Sequence, residues 1–412
     1  MGLYDGSKAP TITVEFDISK KGFFTLGISP LDGVDVLASG TTTNWSAIPT
    51  TDIRSISMRR GRTREDQAVQ PGTVSLVLEN RSGNYDPDNT SSIYFWDGYS
   101  TLSAGLGVRI SATWSGTTYV IYRGYLEQLD VDESLDPVAT FQFTDALAWI
   151  GRRNVATVAS SYAGDTTSTR VGRILDAVNW DASLRNISGS RTMNATTFGD
   201  SALTLADQVA RCEFGRFYAD RQGNLTLLPY ESTFTTPTRI ALSDQRTSGT
   251  IEYDTIETNP GAKYLVNSVT LTQATGVTQQ YDNAISQARY GVFVKAWDAP
   301  LSDNTTAANL TQIIGDRYAL PKTRVDRVEF DALGLDSSAW ASLLQTDLGD
   351  NVTVQRTTVD LRYRIFTSLV ESIEFDLNPY NWRVAMNLSP SAGVAFFTIG
   401  LSTLDGVDVL YY

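Results

Sequence analysis

The chain has 412 residues, and its 33 Lys and Arg against 46 Asp and Glu leave a formal charge of −13. That acidic excess excludes a main role in gripping nucleic acid through phosphate neutralisation. The absence of histidine excludes a zinc-hydrolase centre or a Ser-His or Cys-His nucleophile built within one chain, leaving only a carboxylate pair for enzymatic chemistry.

At this length two or three domains are expected, each with enough apolar content for a core. The N-terminus, Met1-Gly-Leu-Tyr-Asp-Gly, carries no basic-then-apolar signal, and no apolar run approaches the roughly 18 residues of a membrane span, so assembly in a cytoplasm is expected. Short alternating runs between Gly, Asn and Asp turns dominate the first part. They predict strands over Thr11 to Phe16, Ile53 to Met58, Thr73 to Leu78, Val108 to Trp114, Thr118 to Leu129 and Val138 to Phe143. Their short links make them antiparallel by default. Thr144 to Ile150 reads as a capped helical turn that closes this domain.

A polar stretch from Val158 to Thr169 then changes the pattern. Arg170 to Trp180 and Ser201 to Cys212 carry apolar residues at helical spacing, and a hairpin follows from Gly215 with Asp220 to Asn224 as its turn. Within the second helix the lone cysteine, Cys212, lies on the apolar stripe and reads as a packed core thiol. Strands resume over Tyr264 to Thr272, Val292 to Ala296, Arg324 to Phe330, Asn351 to Arg356, Tyr363 to Asp376 and Trp382 to Leu388. One helix, about Asn304 to Tyr318, is expected to interrupt them. The divisions that follow are 1–155, with a hairpin at 22–40, then 156–248, 249–390 and 391–412.

Phe23 to Leu37 repeats as Phe396 to Leu410 at an offset of 373, with 12 identities in 15. Each copy is too short to fold alone. They form either a shared structural hairpin or, at the C-terminus, a docking ribbon whose Phe397, Ile399, Leu410, Tyr411 and Tyr412 are candidate interface residues.

Asn84-Tyr-Asp86-Pro-Asp88-Asn89 alternates oxygen ligands like the start of a calcium loop but lacks the Gly and Glu of an EF-hand, so an Asx-rich turn is expected. Asp130, Asp132 and Glu133 read as a solvated hairpin end. Tyr94, Phe95, Trp96 and Tyr99 could stack on a sugar or pack in a core or interface. The basic cluster Arg59, Arg60, Arg62 and Arg64 is followed by Glu65 and Asp66, and is expected to make ion pairs between subunits. These patterns imply no catalytic, cofactor or metal site.

The order of motifs from Ser57 to Phe95 resembles the minor tail proteins of long-tailed (siphovirus-type) phages of actinobacteria: Arg-Arg-Gly-Arg, a Gly-Thr strand, Leu-Glu-Asn-Arg, then Asp-Pro-Asp-Asn-Thr. Tyr122-Arg-Gly-Tyr-Leu-Glu127, Ile174 to Trp180, Arg317 to Val325, Leu348 to Val354 and Leu369 to Val384 extend the likeness over about residues 50 to 390. It departs at Asp66-Gln-Ala-Val and at the terminal repeats. The resemblance implies a mainly β fold with an α+β insert, in which two tube-like antiparallel β-barrel or sandwich domains flank a smaller α+β domain. It implies a hub-like structural subunit of the virion's tail tip, which forms a ring that continues the tail tube. The ring would be a homotrimer, with a hexamer as alternative, in contact with tube, tape measure and tail-fibre proteins. DNA would pass through the bore without specific binding, and an acidic lining would limit sticking. A receptor- or glycan-binding module touching the host surface and a cell-wall-degrading enzyme are the competing readings.

Overall fold

The computed structural model describes residues 9–18, 44–96, 98–132, 134–245, 249–357, 363–378 and 381–391. Both terminal repeats therefore lie outside the described residues.

The first part begins with β1 (Thr11–Asp17), β2 (Trp45–Ala47), β3 (Ile53–Gly61) and β4 (Gln70–Glu79). A two-strand pair, β5 (Phe95–Trp96) with β6 (Tyr99–Ser100), precedes β7 (Gly107–Trp114), β8 (Thr117–Asp132) and β9 (Val138–Thr144). Strict alternation makes these strands: Ile12, Val14 and Phe16 are buried while their neighbours are not, and Val74, Leu76 and Leu78 repeat the pattern. Phe16, Phe141 and Phe143 meet at 5.2 to 6.0 Å between ring centroids beneath them. Helix α1 (Ala146–Gly151) starts where the buried Asp145 carboxylate accepts from Leu147 N at 2.9 Å and from Gly72 N at 2.6 Å.

The middle part holds β10 (Val158–Ser161), α2 (Thr167–Ala177), β11 (Arg185–Ile187), β12 (Thr196–Phe198), α3 (Ala202–Cys212), β13 (Arg216–Ala219) and β14 (Leu225–Leu228). Thr166 and Ser201 cap the two helices. Cys212 is fully buried, and burial pushes its thiol well above the ordinary range, as expected of a packed core thiol. Asp220 closes the β13–β14 turn by accepting from Gln222 N and Asn224 N at 2.9 and 2.8 Å.

The last part runs β15 (Thr238–Ser243), β16 (Ile251–Glu252), β17 (Thr255–Asn259), β18 (Ser268–Thr272), β19 (Thr278–Asp282), α4 (Ala284–Tyr290), β20 (Val294–Asp298) and α5 (Asn304–Tyr318). It ends with β21 (Arg324–Asp331), α6 (Ser337–Gln345), β22 (Asn351–Thr357), β23 (Tyr363–Asn378) and β24 (Asn381–Pro390). Two helices here, α4 and α6, escape the expectation of a single one. Both are short, nine residues or fewer, so they offer little periodicity to read.

The chain is mainly β. Fourteen strands form one open, branched sheet, and no closed barrel occurs among the described residues. Antiparallel pairing prevails, but β15 pairs in parallel with β16 and β22, β11 with β14, and β18 with β20. The partners β22, β14 and β20 are each reached through other elements and not through a hairpin turn, which is what parallel pairing requires, whereas β16 follows β15 directly.

The sheet contains one motif twice. The order β3-β4-β9-β8-β7 recurs as β17-β21-β24-β23-β22. In both copies the fourth strand has 16 residues and changes partner midway at a bulge. The bulge falls between Leu126 and Gln128 in β8 and between Val370 and Ser372 in β23, so a glutamate, Glu127 or Glu371, occupies it each time. Antiparallel pairing of β3 with β23 joins the two copies edge to edge. Trp340 of α6 adds a second clasp, packing on Trp114 of β7 at 5.9 Å and Trp382 of β24 at 4.8 Å.

Candidate assembly site

Two regions concentrate charge: a buried seam where the three parts of the chain meet, and an open sheet face that both copies of the motif share.

The seam is built on the loop after β3. Gly61 turns the chain with φ +109, where a side chain would press on the Glu371 carbonyl at 2.1 Å. Arg62 then donates its backbone N–H to that carbonyl at 2.8 Å and its Nε to the Glu371 carboxylate at 2.7 Å. Arg216 of β13 donates to the other carboxylate oxygen, as does Ser389 of β24. Glu371 is 1% exposed. Burial alone would raise its carboxyl, but Arg216 and Arg62 outweigh that and hold it at about 2. Next along the loop, Glu65 accepts from Arg317 of α5 and Arg324 of β21. Asp66 pairs with Lys295 of β20 at 2.8 Å and with Arg64 at 3.1 Å. Arg60 donates to Asp347 at 2.8 Å, and Arg221 N donates to the same carboxylate at 2.9 Å. Asp207 of α3 borders the seam beside Arg62 and Arg211, where burial pushes its carboxyl up to about 7 against the pull of both cations.

The arginine cluster, expected at a subunit boundary, thus finds its partners within the chain. Arg60 and Arg62 are 4% and 5% exposed. Arg64 is partly buried between Asp66 and the Tyr264 ring, and only Arg59 is half exposed, pairing with Glu374 at 3.2 Å. Sequence reading missed Arg216, Arg317, Asp347 and Glu371 as members of this seam. The one signal was Glu371 itself, a charge inside the apolar run Leu369-Val-Glu-Ser-Ile-Glu-Phe375.

The second region follows from register. Residues directly opposite in antiparallel strands point to the same face. Across β8, β9, β4, β3, β23, β24, β21 and β17, one such row links Asp130, Thr140 and Val77, and another links Gln128, Gln142, Ser75, Ser57, Asp376, Arg383 and Asp331. A third runs through Thr73, Arg59, Glu374, Ala385, Glu329 and Thr255. The result is one polar face, eight strands wide. Its described carboxylates are Glu79, Asp130, Asp132, Glu257, Glu329, Asp331, Glu374 and Asp376; its cations are Arg54, Arg59, Arg327 and Arg383. Every one of these arginines is held by a carboxylate: Arg54 by Glu79 at 2.6 Å, Arg327 by Glu374 at 2.7 Å and Glu329 at 2.9 Å, and Arg383 by Glu329 at 2.9 Å. Arg327 and Arg383 hold the Glu329 carboxyl below its usual range.

The remaining sequence candidates have plain roles. Asp86 accepts from Asp88 N and Asn89 from Ser91 N, as in Asx turns, and the described residues contain no cluster of three or more potential metal ligands. Asp132 accepts from Ser134 N beyond the end of β8. Tyr94 is 3% exposed and packs on Tyr85 and Phe16, whereas Tyr99 is 57% exposed, so the aromatic group is split between core and surface. Phe397, Ile399, Leu410, Tyr411 and Tyr412 lie outside the described residues.

No family model and no curated protein matches the chain. Solved structures do. The tail protein from Neisseria meningitidis MC58 aligns with a TM-score of 0.56 at 8% identity, covering 92% of this chain and 96% of that one. The 43 kDa tail protein of prophage MuSo2 from Shewanella oneidensis aligns with a TM-score of 0.54 at 10% identity, covering 92% and 98%. The chain shares the fold of these phage-type tail proteins over almost its whole length.

Proposed function

We propose that this chain, having the fold of those tail proteins, is a hub-like structural subunit of a phage tail tip, forming a ring whose bore is lined by the polar sheet face. The observation that carries the reading is that face: eight strands from both copies of the motif present one mainly polar surface, with eight carboxylates against four arginines among the described residues. A sheet normally hides one face and wets the other, and a wetted face this wide suits the wall of a water-filled channel. An excess of negative charge repels the phosphate backbone, and each described arginine of the face is already engaged by a carboxylate, so its cations are screened from passing DNA.

Size supports a threefold ring. Eight strands at about 4.8 Å spacing span roughly 38 Å, so three copies give a circumference of about 115 Å and a diameter of about 37 Å before strand tilt widens it. Two copies would leave about 24 Å, which side chains would largely fill. With two motifs per chain, a trimer presents six similar units and can continue a sixfold tube. The virion tail tip is the location that follows, with tube, tape measure and fibre proteins as neighbours. Native mass spectrometry and particle averaging test the proposal: a trimeric ring with an acidic bore is expected, and a lasting monomer or a basic bore overturns it.

A further inference from the structure

Resting on the ring reading, we infer that the ring closes by β8 of one copy pairing with β17 of the next, reproducing between chains the β23–β3 joint found within each chain.

The argument starts from two edges. Among the described residues the second half of β8 pairs with β9 on one side only, because β7 leaves it at the Glu127 bulge, and β17 pairs with β21 alone. In the repeated motif these are the counterparts of β23 and β3, the two strands that join the motifs. Register fixes the correspondence. Leu129 opposes Phe141 as Ile373 opposes Met386, and Ile256 opposes Val328 as Ile56 opposes Leu76. Gly261 then stands where Gly61 stands, both with positive φ, at +90 and +109.

Burial marks the missing neighbour. Ile373 and Phe375, sheltered by the joint, are 2% and 5% exposed, while their counterparts Leu129 and Val131 are only half buried. Ile56 is 1% exposed, but Ile256 is half buried. Glu371 is sealed by the chain crossing it, whereas its counterpart Glu127 is about one third exposed and pairs with Arg152. Apolar residues left half covered along an unpaired strand are what a second copy of this chain would cover.

The joint also has a defined chemistry. Within the chain Asp376 opposes Ser57 and accepts its hydroxyl hydrogen at 2.6 Å. The counterparts are Asp132 and Glu257, so between chains two carboxylates face each other, a repulsive pairing. The intrachain joint is therefore permanent and the interchain joint is weakened by charge, which makes ring closure sensitive to salt.

The test uses the full chain, whose only cysteine is buried. Asp132→Cys combined with Glu257→Cys, oxidised, is expected to give covalent dimers and trimers, with neither single variant doing so. Asp132→Lys should strengthen assembly about tenfold and Glu257→Lys likewise, while the double reversal returns to the native level. Assembly of the parent should tighten as salt is raised. A ring that forms without the cross-link, with single reversals that leave assembly unchanged or weaken it, overturns this joint while the ring reading stands. A chain that forms no ring at any concentration overturns both.

Discussion

Arg62 and Glu371 stand 309 positions apart in the chain, yet the arginine Nε lies 2.7 Å from the carboxylate with both side chains out of solvent. Arg216 closes the group from the middle part, so one glutamate ties together all three parts of the molecule. Two buried cations on one anion cannot tolerate its loss. Glu371→Gln should destabilise the chain by about 3 to 5 kcal/mol, read as a lowered midpoint in urea, because two guanidinium groups would remain buried without their counter-charge.

The same group sets the acid limb of stability. Its folded value of about 2 lies below the ordinary 4.5, so its contribution is fully present above pH 4.5 and is lost as the pH falls towards 2. Asp207 works in the opposite sense. Its folded value of about 7 lies above the ordinary 3.8, so stability is greatest below pH 3.8 and declines as the pH rises through 7. Unfolding curves from pH 2 to 9 should therefore show Asp207→Asn matching the parent near pH 4 and exceeding it at pH 8. Equal stability at pH 8 would remove Asp207 from this account.

Arginines of one cluster should separate cleanly. Arg59 is half exposed, so Arg59→Ala should cost no more than about 1 kcal/mol. Arg62→Ala strips a buried carboxylate of one cation and a loop carbonyl of its donor, and should cost about 3 kcal/mol or more. Circular dichroism melts of the two variants decide it: similar losses would mean the seam is not the support described.

Gly61→Ala tests the backbone beneath the seam. An added Cβ would lie 2.1 Å from Glu371 O and 2.6 Å from Ser372 Cα, in a conformation that side chains rarely adopt. A loss of several kcal/mol is expected, with the β3–β23 pairing disturbed first and so detectable by faster amide exchange at Arg60 and Ile373.

Strands such as Thr11–Asp17 and Thr73 to Leu78 were legible because alternation of apolar and polar residues is a local signal, and α5 appeared at its stated bounds, Asn304–Tyr318. The mainly β character of the chain was legible for the same reason. What pairs with what was not. Nothing local in Ser57 says that Asp376 will stand opposite, and the repeated motif is carried by pairing order, not by shared residues. The arginine cluster shows the cost of that gap: four cations in a row look like a surface until the fold brings Glu371 and Asp347 beneath them. The polar face was hidden likewise, since each strand contributes only a few of its residues.

The face makes one further demand. Glu374 bridges Arg59 and Arg327, and Glu329 bridges Arg327 and Arg383, so the carboxylates mask the arginines from any polyanion. Replacing Glu329, Glu374 and Asp376 with their amides should leave the fold intact, because ion pairs on an open, partly exposed sheet face contribute only about 1 kcal/mol each. It should also unmask three arginines side by side. Double-stranded DNA, not retained by the parent, should then bind weakly, with an affinity that falls steeply between 50 and 200 mM salt, as expected when phosphates are neutralised. Fluorescence anisotropy with a short labelled duplex measures this directly. Binding by the parent at low salt, or none by the amide variant, would overturn the proposed role of this face's charge balance.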